Sequence, residues 1–149
     1  MQARDNKQKR LKLIATDAED LEVISALLQD AIIRKGDISY SSTGKRFAAV
    51  VNRFRWEEGS RLERVHCGMH FNGILGVKTR NLLWERAETL HELLAIEAQV
   101  GEVGSAEILL RFAGGALIKL DAECIDCELH DLSEAWAAYR KPAHDVDGL

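Results

Sequence analysis

The apolar period of this chain changes once, near residue 32, and that change limits the folds open to it. Before it, Leu21, Ile24, Leu27, Leu28 and Ala31 recur at intervals of three and four, which lays one apolar stripe along a helix of about 13 residues. Thr16 with Glu19 three positions on has the spacing of a capping box, so the helix is expected to begin there. Leu11, Leu13 and Ala15 alternate ahead of it as a short strand. After residue 32 a period of two dominates, as half-buried strands require.

The strands can be placed by their punctuation. Ile32 to Tyr40 and Arg46 to Trp56 flank Ser41-Ser42-Thr43-Gly44, a loop whose glycine can supply a positive φ, and are expected to pair antiparallel. From Leu62 to Phe71 the alternation is clean: Val65, Cys67, Met69 and Phe71 take one face, and Arg64, His66, Gly68 and His70 the other. Asn72-Gly73 predicts a tight hairpin with Ile74 to Arg80 folding straight back. Residues 81–91 suit either a short helix or a packed loop. Glu92 to Val100, Ala106 to Ala113 and a long strand from Ala116 then form a meander.

In that last strand the apolar phase switches from even positions (Ile118, Leu120, Ala122, Cys124) to odd ones (Ile125, Cys127, Leu129), which a β-bulge near Cys124-Ile125 would explain. Asp131 and Glu134 repeat the capping-box spacing, and Leu132, Trp136 and Tyr139 outline a short closing helix that Pro142 stops. The expected fold is α+β: a strongly twisted antiparallel sheet or partly closed barrel of about seven or eight strands, with an N-terminal helix and a short C-terminal helix. Residues 1–10 read as a flexible basic tail, 11–141 as one domain and 142–149 as a C-terminal tail.

The first ten residues have no apolar stretch of the kind a secretory signal carries, and no run approaches the roughly 20 apolar residues of a spanning helix. A cytoplasmic setting with no membrane contact and three reduced cysteines is expected. Charge is unevenly divided. Residues 1–80 hold 15 Lys and Arg against 10 Asp and Glu, and residues 81–149 hold 5 against 14. Such a split can steer an anionic partner to one face or bring two copies together head to tail.

Two constellations are candidates for chemistry. Cys124, Cys127 and His130, with Cys67 and His70 elsewhere, have zinc-ligand types. A second ligand pair of that spacing is missing, so the thiols read as small core residues, and neither metal nor cofactor is expected. Arg53, Arg55, Arg64, His66 and His70, interleaved with Phe54 and Trp56, could share one wet face able to hold an anion. No GxSxG or HExxH occurs, and Gly114-Gly115 lacks the setting of a phosphate loop. The leading reading is therefore a non-catalytic binding or adaptor module for a protein partner or an anionic ligand, with a homodimer compatible with the charge split. The alternative is a small enzyme or ligand carrier whose pocket is lined by His66, His70 or His130.

The segments LKLIATDAEDLEVISALLQDAI, KRFAAVVNRFRWE and FAGGALIKLDAECIDCELHDLSEAW together resemble an uncharacterised alphaproteobacterial family known only as a domain of unknown function. The likeness runs from Leu11 to Asp145 and carries over no catalytic residue, ligand or partner. It implies a cytoplasmic housekeeping setting, among genes for cell-wall precursor and histidine biosynthesis.

Overall fold

The computed structural model describes residues 10–59, 63–82, 86–132 and 136–137. Its elements are β1 (Lys12–Ala15), α1 (Ala18–Leu27), β2 (Ala31–Ser41), β3 (Arg46–Phe54), β4 (Glu63–Asn72), β5 (Ile74–Arg80), β6 (Leu90–Val100), β7 (Ala106–Phe112), β8 (Leu117–Ala122), β9 (Cys127–Asp131) and β10 (Trp136–Ala137). All pairings are antiparallel, in the order β1-β9-β4-β3-β2-β6-β7-β8-β5, and β10 adds to β4. Among the described residues the sheet ends at β1 and β5 and does not close. The expected α+β twisted sheet is present, with one helix after the first strand.

Helix α1 starts one residue later than the capping-box spacing indicates. Asp17 is the cap, and its carboxylate accepts from the Asp20 amide at 2.8 Å. The apolar stripe lies on β6 and β1, burying Leu21, Ile24 and Leu28, each worth about 1.5–3 kcal/mol in surface removed from water. The inner face of the sheet carries Phe47, Val51, Met69, Phe71, Leu93, Ile108, Leu110, Leu120 and Leu129. The β2–β3 hairpin forms as expected, although Lys45 (φ 55°) rather than Gly44 takes the left-handed position.

Asn72-Gly73 does not close a hairpin. Both edges of β4 are taken, by β3 and by β9, so no edge remains for β5. Gly73 (φ 74°) instead turns the strand through a corner, and β5 goes on to pair with β8. Residues 123–126, between β8 and β9, turn at the same corner: the Asn72 amide donates to Asp126 O and the Glu123 amide to Gly73 O, each at 2.9 Å. Strands β4 and β5 thus form one bent ladder with β9 and β8.

This corner also accounts for the phase switch near Cys124-Ile125. The long strand expected from Ala116 is broken into β8 and β9 by residues 123–126, with Cys124 exposed and Ile125 buried. No single-residue bulge is involved. Where the closing helix was expected, Trp136–Ala137 form a strand against Arg64 and Glu63, while Tyr139 and Pro142 lie outside the described residues. No helix among the described residues is long and apolar enough to cross a membrane.

Candidate functional site

The five residues expected on one wet face are divided among different places. In β3, Phe47, Ala49 and Val51 point inward, and Arg53 continues that phase and is fully buried. Its Nη1 and Nη2 donate to Glu57 Oε1 (2.7 Å) and Oε2 (2.8 Å), Nη2 also reaches Asp131 Oδ1 (3.1 Å), and Nε meets Cys67 Sγ (3.0 Å). The Cys67 thiol donates to Asp131 Oδ1 at 2.9 Å, and Asp131 Oδ2 accepts the Leu11 amide at 2.7 Å. Burial works against the charge on Arg53, but Glu57, Cys67 and Asp131 outweigh it and raise its pKa. Arg55 is also buried, with Nη1 2.9 Å from Glu63 Oε1. Neither arginine lies on the outer face.

Arg64, His66 and His70 do point outward, as the clean phase of β4 requires. His70 sits four residues beyond His66, about 13 Å along the strand, in a separate cluster on β9. There its Nε2 is 2.9 Å from Glu128 Oε1, close enough for an ion pair yet not aligned as a hydrogen bond. Lys12 Nζ stands 3.6 Å from Glu128 Oε2, and the His130 ring packs edge-on to His70 at 6.1 Å. Burial opposes the Glu128 charge, but His70 and Lys12 prevail and lower its pKa.

Cys127 and His130 fall three positions apart on β9 and therefore face opposite ways. Cys124 is exposed, and Cys127 is buried with its thiol pushed up to about 12 by burial. Burial raises the Cys67 thiol as well. Among the described residues no three His, Cys, Asp or Glu side chains are grouped to hold a metal ion.

Arg64 and His66 join a feature that the sequence did not reveal. An open groove of about 480 Å³ crosses the outer face of β2, β3 and β4. Ile32, Val50 and Leu90 give it an aliphatic floor, and Arg34, Asp37, Asn52, Arg64 and His66 surround them. The row is set by register: Ile32 pairs with Asn52, which pairs with His66. Arg34 keeps the outward phase of Ile32 and pairs with Leu90, whereas Asp37 enters through an irregularity in β2, where the register against β3 jumps between Ile33 and Ile38. Gly36 allows it, since a Cβ there would stand 3.0 Å from Ala87 O, and its amide donates to that oxygen at 2.7 Å.

Both arginines are held in place. Arg34 grips Asp37 through Nε (3.2 Å) and Nη2 (2.9 Å). Arg64 bonds the Asn52 side chain through Nε and Asn52 O through Nη2 (2.9 Å), with its guanidinium 4.0 Å above the Phe54 ring. Burial lowers the Arg64 pKa against Asp30 and Glu92, yet an arginine remains a cation at neutral pH. Gly36 was the available signal, because a glycine inside a strand marks a bulge or a close approach. His66 lines the groove, whereas His91 lies in the core, edge-on to Phe112 at 5.8 Å.

No curated protein and no solved structure matches the chain. A protein family does match, over residues 11–144: the one described as "Protein of unknown function (DUF2948)". The chain therefore belongs to the DUF2948 family.

Proposed function

We propose that the protein is a non-catalytic recognition module that takes a protein segment bearing a carboxylate beside an aliphatic side chain. The observation that carries this reading is the outer groove, where Arg34, Arg64 and His66 stand around Ile32, Val50 and Leu90. An aliphatic side chain can desolvate the floor while a carboxylate meets the N–H groups that Asp37 and Asn52 leave on arginines already fixed in position, which lowers the ordering cost of binding. A nucleic acid fits less well. The floor is aliphatic and offers no stacking platform, Asp37 stands among the arginines, and the whole chain is acidic at −4. We also propose residues 11–141 as the functional unit and a cytoplasmic setting in an alphaproteobacterium, on the strength of the family resemblance.

The test is an NMR titration of the full chain with a short synthetic peptide of alternating glutamate and leucine. Amide shifts are expected at Ile32, Val50, Asn52, His66 and Leu90. Arg64→Glu should weaken binding at least tenfold, a loss of about 1.4 kcal/mol. Shifts confined to other surfaces would overturn the reading, and binding of a phosphate-rich oligonucleotide in preference to the peptide would favour a nucleic-acid ligand instead.

A further inference from the structure

The far end of the sheet carries a turn that sets an aliphatic side chain beside a glutamate, Val103 after Glu102. Residues 97–107 carry three glutamates; Arg111 pairs with Glu97 at 2.8 Å, and the Glu102 carboxylate has no ion-pair partner among the described residues. The turn between β6 and β7 presents Val103, which is wholly exposed and sits at φ 54°, a left-handed backbone that a β-branched residue rarely adopts. Val100 and Leu75 are more than half exposed beside it. Glu107 and Asp121 lie directly opposite one another on β7 and β8, an arrangement of like charges that costs stability unless a cation relieves it. Lys119 reaches Glu107 at 3.4 Å.

We infer that the groove receives the β6–β7 turn of a second copy of this chain, Val103 seating on the aliphatic floor and Glu102 meeting the arginines. The inference rests on the groove being a recognition site. Charge complementarity supports this occupant: an aliphatic knob preceded by Glu102 matches an aliphatic floor beside Arg34 and Arg64. Strand β6 makes the contact intermolecular. It begins at Leu90 in the groove and ends at Val100 beside the turn, so the two surfaces lie about 30 Å apart and one molecule cannot satisfy itself. Docking of this kind is heterologous: an open assembly always keeps one knob and one groove unfilled, so it goes on adding copies until a ring closes.

Sedimentation velocity of the full chain tests it. At low salt the mass should rise with concentration, and it should return to the monomer in about 1 M sodium chloride, where charges are screened beyond about 3 Å. Leu90→Glu removes the groove and Val103→Glu the knob; both side chains are exposed in the monomer, so folding should be kept. Each variant alone should stay monomeric, while an equimolar mixture should form dimers and stop there, because one intact knob and one intact groove remain. Val103→Asn, which suits the left-handed backbone, should raise Tm while weakening association. A wild-type chain monomeric at every soluble concentration would overturn the inference, as would a mixture that stays monomeric or a variant that associates like the wild type. If the acidic peptide binds the groove while the wild type remains monomeric, the self-docking inference alone is lost and the recognition reading stands.

Discussion

Arg53 and Asp131 stand 78 positions apart in the chain and meet inside the sheet, Nη2 to Oδ1 at 3.1 Å. The contact joins β3 to β9, and through the Leu11 amide it reaches the segment leading into β1. Removing one member of a buried pair strands the other charge at a cost of about 3–5 kcal/mol, whereas replacing both by apolar groups is often near neutral. Arg53→Met should therefore lower stability by about 3 kcal/mol or more, and Arg53→Met with Asp131→Leu should recover most of that loss, since Glu57 is partly exposed and can hydrate. Urea unfolding of the single and double variants checks this. A double variant no better than the single would mean that the pair adds net stability.

Glu57 gives this network a pH dependence. Burial pushes its carboxyl up, but the hydrogen bonds from Arg53 prevail and hold it below the usual value of 4.5. A depressed carboxylate contributes stability that is present above its unfolded value and is lost as pH falls through the folded one. Urea midpoints should thus drop below pH 4.5, and Glu57→Gln should reduce that drop. An unaltered acid limb in the variant would argue against the coupling.

His91 acts in a higher window. It is 9 % exposed, its Nε2 has no hydrogen-bond partner among the described residues, and burial lowers its pKa below 6.5. The unfolded chain takes up a proton near 6.5 that the folded one resists, so stability should fall as pH drops through that value. His91→Leu should flatten the slope of stability between neutral pH and the onset of carboxylate titration. A slope unchanged by the substitution would rule out His91 as its source.

Gly36 should be more sensitive than its exposure suggests. A Cβ at this position would come to 3.0 Å from Ala87 O and 3.1 Å from Ala87 Cβ, and backbone cannot yield as a flexible side-chain end can. Gly36→Ala is expected to cost about 1–3 kcal/mol and, by displacing the Arg34–Asp37 wall, to weaken peptide binding in the groove. Thermal melts and the NMR titration read the two effects separately. Peptide affinity at the wild-type level would show that this wall is not part of recognition.

What the sequence revealed depended on how visible the phase of each strand was. On β4 the alternation of Val65, Cys67, Met69 and Phe71 with polar residues is unambiguous, so Arg64, His66 and His70 were correctly expected outside. On β3 the run Phe47-Ala48-Ala49-Val50-Val51 is apolar throughout and conceals its own phase. Charge alone suggests an outward place for Arg53 and Arg55, although they continue the inward set of Phe47, Ala49 and Val51. The groove was illegible for a different reason. Its floor needs Ile32, Val50 and Leu90 from three strands, and which strands are neighbours is a property of topology. Asn72-Gly73 misled in the same way: local conformation marks a change of direction, and only the occupied edges of β4 decide that it is a corner.

The bent ladder also fixes an order in which the chain can assemble. Strands β6, β7 and β8 are joined by turns of a few residues, so their pairing closes small loops at little entropic cost. The other half of the ladder brings Cys67 to Asp131, 64 positions away, and β1 reaches β9 across more than a hundred. Loops of that size slow folding, which leaves the locally connected sets, β2–β3–β4 and β6–β7–β8, to form first and β1 as the last strand to dock. Conservative truncations such as Ile108→Val should then slow refolding, while Leu13→Ala should chiefly speed unfolding; stopped-flow rates showing the reverse would place the nucleus at the N-terminal seam. On this order, the Asp131 carboxylate that accepts the Leu11 amide is the clasp closed at the end of folding, and the first to open when the protein comes apart.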